Sequence, residues 1–167
     1  MSIQETYSAE TLIKKTIVEP TSGTAINTVQ ANSEFLPYSV ESTVTFAELT
    51  TGTAEAHNLF KVTGAVALSV IGFCTTNLDG ATATIKVGTA LSDAGLIAST
   101  TATNIDANEI WHDATPDSSI EATSVVSKKI VSQDVIYTIG TAAITAGVIK
   151  FVCFWTPITE GSKVEVY

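Results

Sequence analysis

One stretch decides the fold of this chain: VIKFVCFW, from Val148 to Trp155. Apolar residues fill both alternating faces of the stretch, and Lys150 is its one polar residue. Because successive side chains of a strand point to opposite faces, the pattern predicts a central strand with little water on either side. The stretch is too short to cross a membrane as a helix. The lysine indicates that the face with Val152 and Phe154 is not all deep core, and that another subunit or an N-terminal arm covers part of it.

The composition is that of a single acidic domain. The chain has 167 residues, and 45% of them are hydrophobic while 15% are charged, which excludes a wholly disordered chain. Seventeen acidic residues stand against eight basic ones, all of them lysines, for a formal net charge of −9. Phosphate recognition depends on basic clusters and on arginine, so nucleic acid is not an expected partner.

Short runs rich in Val, Ile, Thr and aromatic residues fill residues 40–167, with turn residues between them. Ala81 to Thr89 alternates most cleanly, and its predicted inward residues are Ala83, Ile85 and Val87. Gly72 predicts a bulge or bend in an apolar run, and Asp79 with Gly80 predicts a hairpin turn. About eight to ten strands without a convincing helix predict an all-β fold, a jelly-roll-like antiparallel β-sandwich.

The first section, residues 1–39, differs from this domain. Its apolar residues are scattered among polar ones without a sustained period of 2 or 3.6. We interpret it as an extended N-terminal arm that a partner orders, with a short helix from Ser8 to Lys15 as the alternative. The residues expected to contact a partner or a neighbouring subunit are Tyr7, Leu12, Ile13, Ile17 and Val18.

The two cysteines, Cys74 and Cys153, lie in apolar, strand-like runs. We interpret them as buried reduced thiols that pack as small hydrophobic groups, with a disulfide as the alternative. Residues 1–5 show neither a basic leader nor an apolar region, so we expect a protein made in a reducing cytosol rather than a secreted one.

Acid–base or metal chemistry would depend on one of two histidines, His57 and His112. A cation site or a general-base pair can be built around His112 from four acidic residues of the same segment: Asp106, Glu109, Asp113 and Asp117. The spacing fits neither an EF-hand nor a zinc motif, so we prefer a solvated loop whose acidic side chains cap turns. For His57 we expect a structural role at a strand edge.

Trp111 has two interpretations. An indole beside His112 can form a platform for a sugar, but a tryptophan flanked by Ile110 more often anchors a loop to the core, and we prefer the anchor. The chain has no Gly-x-Ser-x-Gly elbow and no glycine-rich phosphate loop. The sequence therefore predicts no enzyme and no catalytic, cofactor or metal site.

Five motifs carry a resemblance to a known family: ATIKVGT at 83–89, TTATNIDA at 100–107, IWHDATPD at 110–117, GTA at 140–142 and FWTP at 154–157. They resemble the small virion proteins of tailed bacteriophages that are commonly encoded beside the major capsid protein. Members of that family are usually labelled phage structural or capsid decoration proteins. Similar cement proteins fold as jelly rolls and assemble as trimers on the capsid. The segment before Val40 has no match.

The resemblance implies a structural virion protein, a decoration or cement protein on the outer surface of a phage head. It implies a homotrimer that is made in the bacterial cytoplasm and bridges major capsid protein subunits, with no nucleic acid or membrane partner. Three alternatives stay open: a carbohydrate-binding jelly roll of a tail fibre or baseplate that uses Trp111, a tail or neck protein, and an enzyme around His112 and Asp113.

Overall fold

The computed structural model describes residues 38–122 and 126–167, which form eleven β-strands in two antiparallel sheets. Along the chain these are β1 (Tyr38–Thr45), β2 (Ala56–Thr63), β3 (Val66–Asp79), β4 (Thr84–Thr89), β5 (Ser92–Thr101), β6 (Glu109–Trp111), β7 (Asp117–Ser118), β8 (Lys129–Val131), β9 (Val135–Gly140), β10 (Ala146–Pro157) and β11 (Lys163–Val166). A 3-10 turn, Ala102–Asn104, follows β5. In this part of the chain, no helix is long and apolar enough to cross a membrane.

The two sheets form a sandwich, which confirms the predicted all-β fold. Sheet A has six strands in the order β1-β10-β3-β6-β7, with β8 also paired to β3. Sheet B has five strands in the order β11-β2-β9-β4-β5. The chain crosses repeatedly between the sheets, as expected for a jelly-roll-like sandwich.

The predicted N-terminal arm falls outside the described residues, except for its last two positions. The first strand, β1, begins at Tyr38, close to the predicted start of the domain at residue 40. All five residues of the arm that are predicted to make contacts lie outside the described part of the chain: Tyr7, Leu12, Ile13, Ile17 and Val18. Their role stays a prediction.

The stretch from Val148 to Trp155 is the middle of β10, and β10 is a central strand as predicted. It pairs with β1 on one side and with β3 on the other. Its inward side chains, Ile149, Phe151, Cys153 and Trp155, are all buried. Burial of each large apolar side chain stabilises the fold by roughly 1.5–3 kcal/mol, so this row is a main contributor to stability.

Aromatic rings from both sheets meet over the middle of β10. The Tyr137 ring of sheet B stacks on Phe151, with the ring centroids 6.3 Å apart. The Trp111 ring, from β6, meets Phe151 edge to face at 6.2 Å. The alternation predicted for Ala81 to Thr89 is also confirmed, because its inward residues are fully buried: Ala83, just before β4, and Ile85 and Val87 within it. The core therefore joins sheet A to sheet B through β10.

Two local predictions are wrong, the hairpin at Asp79 and Gly80 and the bulge or bend at Gly72. Asp79 ends β3 in sheet A, whereas the next strand, β4, lies in sheet B and pairs with β5 and β9. At Asp79 and Gly80 the chain therefore passes from one sheet to the other and does not form a hairpin. Gly72 pairs regularly with Phe151 and makes no bulge. A Cβ atom on Gly72 would lie 3.2 Å from Cε3 of Trp111, so this glycine makes room for the indole.

A glycine does sit at an irregular position of β10, where the register with β3 shifts around Gly147. Its φ is +119°, and a Cβ atom there would lie 2.6 Å from the backbone oxygen of Asn77. Replacing Gly147 therefore adds both conformational strain and a backbone clash.

We expect Gly147→Ala to lower the free energy of unfolding by at least about 2 kcal/mol. Gly161→Ala is the matched control, because Gly161 also has a positive φ (+73°) but a Cβ atom would meet nothing within 4 Å. The control should cost about 1 kcal/mol. Urea denaturation measures both values, and equal losses would contradict the predicted clash.

Candidate functional site

Sheet A carries apolar side chains on the face that points away from the core. Cross-strand pairing puts Val152 opposite Ile71, and Phe73 opposite both Lys150 and Ile110, so these residues share one side of the sheet. Val152 is 6% exposed and Phe73 is 37% exposed, whereas the other apolar members are half-buried. We name this surface the outer apolar face, and its members are Ile71, Phe73, Ile110, Val148, Val152 and Phe154.

The corresponding face of sheet B is mostly polar. Lys86 lies opposite Thr138, and Lys61 lies opposite Glu165. Ile136 is a half-buried apolar exception on this face. Large apolar patches that reach the surface of a folded domain mark sites that bind other molecules, and Phe73 is the exposed member of the outer apolar face. The difference between the two sheets therefore selects sheet A as the candidate interaction surface.

Lys150 lies within the outer apolar face and forms an ion pair with Glu41 of β1. Its Nζ atom is 2.6 Å from Oε2 of Glu41, and the two side chains are 41% and 54% exposed. A pair this exposed contributes at most about 1 kcal/mol to stability. The prediction that this face is not all deep core is confirmed, while its coverage by another subunit or by the arm stays a prediction.

A second cluster lies at the edge of sheet A, next to the outer apolar face. His112 directly follows β6, Asp117 begins β7, and Glu121 belongs to the connection after β7. Nε2 of His112 is 3.3 Å from Oδ2 of Asp117 and 3.2 Å from Oε2 of Glu121. We name these three residues the histidine cluster.

Hydrogen bonds within the histidine cluster shift both carboxyl groups. The hydrogen bond with Glu121 raises the pKa of Asp117. The hydrogen bond with His112 lowers the pKa of Glu121, and the backbone N–H of Ala122 acts in the same direction. The imidazole is almost enclosed, at 6% exposure, while the two carboxyl side chains are 34% and 20% exposed. The buried imidazole therefore fixes the inner side of the cluster, and the two carboxyl groups face water.

Of the four acidic residues that the sequence places near His112, Asp117 alone joins it in the histidine cluster. The carboxylates of two others accept backbone N–H groups and cap turns, as preferred: Asp113 Oδ1 accepts from Thr115 at 2.7 Å, and Glu109 Oε2 accepts from Asp106 at 2.8 Å. The solvated-loop interpretation is wrong for His112, which is buried.

Glu121 is the member of the histidine cluster that sequence analysis missed. It comes near His112 because β6 and β7 form an antiparallel pair in which Ile110 lies opposite Asp117. The returning chain then continues past His112. Predicting a hairpin between residues 110 and 117 would have placed Glu121 near His112. Strands of three and two residues are too short to show the alternation that predicts such a hairpin.

Trp111 is fully buried, and its Nε1–H donates to Oγ1 of Thr100 at 2.9 Å. The interpretation of this residue as a core anchor is confirmed, and a sugar platform on it is wrong because neither face of the indole is exposed. His57 lies in β2 and stacks on Tyr137 with the ring centroids 4.7 Å apart. Its structural role is also confirmed.

Both cysteines are buried free thiols, as predicted. They lie on the inner face of sheet A, where Cys74 pairs with Ile149 and Cys153 pairs with Val70. Burial raises the pKa of Cys74 to about 11 and that of Cys153 to about 12. Since the thiolate is the reactive form, both groups should be inert in the folded chain.

We expect neither thiol to react with a disulfide reagent at pH 8 in the native protein, because burial blocks access and at most roughly one in a thousand groups with so high a pKa is ionised. Both should react at once in denaturant. Absorbance of the released thiol measures this, and the Cys74→Ser and Cys153→Ser variants assign any signal. Rapid reaction in the native state would contradict the burial.

No protein-family model matches this chain, and no curated protein or solved structure matches it either. The outer apolar face and the histidine cluster are thus the features of the described domain from which a function can be inferred.

Proposed function

We propose that this chain is a capsid decoration protein, a structural protein on the outer surface of a tailed-phage head. The outer apolar face of sheet A is the observation that carries the proposal. A protein that cements a shell needs one face that binds protein and another that stays in water. The outer face of sheet A is apolar and would bind the shell, whereas that of sheet B is mostly polar. The resemblance of the sequence motifs supplies the partner, the major capsid protein.

The composition of the outer apolar face suits a protein–protein contact. Phe73 and Phe154 provide aromatic area, and aromatic residues are enriched at the centres of interfaces. The exposed Lys150–Glu41 ion pair lies beside them and adds a polar element of the kind found at interface rims. Burial of apolar surface contributes about 25 cal/mol per Å², so desolvation of this face would favour docking.

Net charge favours the same assignment. With all eight basic residues being lysines and a formal charge of −9, the chain is poorly suited to the DNA-filled interior of a head. The same charge keeps free copies mutually repulsive in water until they dock. A position on the outside of the shell is consistent with both properties.

Assembly as a homotrimer at local three-fold positions would let each copy bridge adjacent capsid subunits. In a cyclic trimer, weak contacts from three copies act together through their effective concentration. The arm, residues 1–39, would add contacts to the capsid or to neighbouring copies through Tyr7, Leu12, Ile13, Ile17 and Val18. Ordering an arm costs conformational entropy, so we expect the arm to become ordered when it binds the assembled partner.

We expect Phe73→Ser to weaken binding to undecorated phage heads at least tenfold, because it removes an exposed aromatic group from the outer apolar face. Leu91→Ser is the matched control: Leu91 is 84% exposed but lies in the turn between β4 and β5 of sheet B. Co-sedimentation with heads measures occupancy. Equal binding by both variants, each folded by circular dichroism, would contradict the assigned face.

We expect deletion of residues 1–20 to lower occupancy on undecorated heads, because the deletion removes all five arm residues to which contacts are assigned: Tyr7, Leu12, Ile13, Ile17 and Val18. The same co-sedimentation assay measures the effect. A truncated chain that still unfolds cooperatively serves as the control for folding. Undiminished occupancy would remove the arm from the proposal and leave the outer apolar face unaffected.

A further inference from the structure

We infer that the histidine cluster, His112, Asp117 and Glu121, binds a divalent transition-metal ion, with Zn²⁺ as the best fit. This inference goes beyond capsid decoration and does not depend on it. The donor atoms available are one imidazole nitrogen and one oxygen from each carboxylate, and all lie within 4.8 Å of one another. Three protein ligands leave a fourth coordination position open.

The separations between donor atoms match a coordination sphere. Zinc holds imidazole nitrogen and carboxylate oxygen at about 2.0–2.2 Å, so two such donors of a tetrahedron stand roughly 3.3–3.6 Å apart. In the histidine cluster, Nε2 of His112 is 3.3 Å from the Asp117 oxygen and 3.2 Å from the Glu121 oxygen. Small side-chain adjustments would therefore admit an ion without moving the strands.

The chemistry of the donors favours a transition metal over Ca²⁺ or Mg²⁺. Those two ions prefer shells made of oxygen, whereas imidazole suits zinc, copper, iron and nickel. Two carboxylates also bring two negative charges, which a divalent cation would neutralise when His112 is in its neutral form. The mixed set of one nitrogen and two oxygens thus matches a zinc-like ion in both ligand type and charge.

The fold holds the ligands in place before an ion arrives. His112 follows Trp111, whose buried indole is fixed by its hydrogen bond to Thr100, and Asp117 is fixed by the β6–β7 pairing. The imidazole is nine-tenths buried, while the carboxylates face water and leave a path of entry. An ion there would link the connection after β7 to the β6–β7 hairpin, beside Ile110 of the outer apolar face.

The competing interpretation of the same geometry is an ion-pair network, in which His112 and the Asp117–Glu121 hydrogen bond together satisfy both carboxyl groups. The two accounts differ in what they predict for added metal. A metal site saturates at one ion per chain and loses its ion when either carboxylate is neutralised, whereas an ion-pair network takes up no ion at all.

The test is equilibrium dialysis of the full, untagged chain against Zn²⁺ after treatment with a chelator. We expect one Zn²⁺ per chain for the wild type, and at least tenfold weaker binding for Asp117→Asn and for Glu121→Gln. Glu109→Gln is the matched control, because Glu109 is an acidic residue of the same hairpin that caps Asp106 and lies outside the cluster. It should bind as the wild type does.

Thermal unfolding gives a second readout, because a ligand that binds the folded state alone raises Tm. Zn²⁺ should raise the Tm of the wild type and of Glu109→Gln by a few degrees, and that of Glu121→Gln much less. If Asp117→Asn fails to fold, Glu121→Gln decides. Absence of bound Zn²⁺ in the wild type, or equal binding by all four proteins, would overturn the inference.

Discussion

The pairing of β10 between β1 and β3 is the constraint on which the rest of this structure depends. A strand with apolar residues on both faces needs cover on both sides, and sheet B covers only the side that carries Ile149 and Phe151. The other side keeps Val148 and Phe154 half-buried, with Val152 beneath them, around the exposed Lys150–Glu41 ion pair. The same feature that builds the core therefore also leaves an apolar face, from which the proposed capsid contact follows.

Core packing also positions the histidine cluster. The indole of Trp111 enters the core where Gly72 leaves space for it, and Thr100 accepts its N–H. Because side chains alternate along β6, fixing Trp111 inward places His112 on the opposite side, near Asp117. The histidine cluster and the outer apolar face are thus neighbours on β3, β6 and β7. The first is proposed to bind a metal ion and the second a capsid.

Local patterns in the sequence were enough to predict the features that depend on alternation and burial. These include the central strand, the inward row of β4, the buried thiols and the buried role of Trp111. Features that depend on distant pairing could not be predicted in this way. Asp79 and Gly80 predict a turn but not which sheet receives the next strand. Gly72 is a glycine because the indole of Trp111 occupies the space where its side chain would lie. Glu121 lies near His112 because β6 and β7 pair.

We propose that the outer apolar face of sheet A docks the protein onto the outside of a phage head, and image reconstruction of the intact particle is the decisive measurement. We expect density for a two-sheet sandwich at local three-fold positions of the outer shell, with Phe73 and Phe154 turned toward the capsid or a neighbouring copy. Density in the tail or neck, or a sandwich on the head with this face turned to solvent, would contradict the proposed docking.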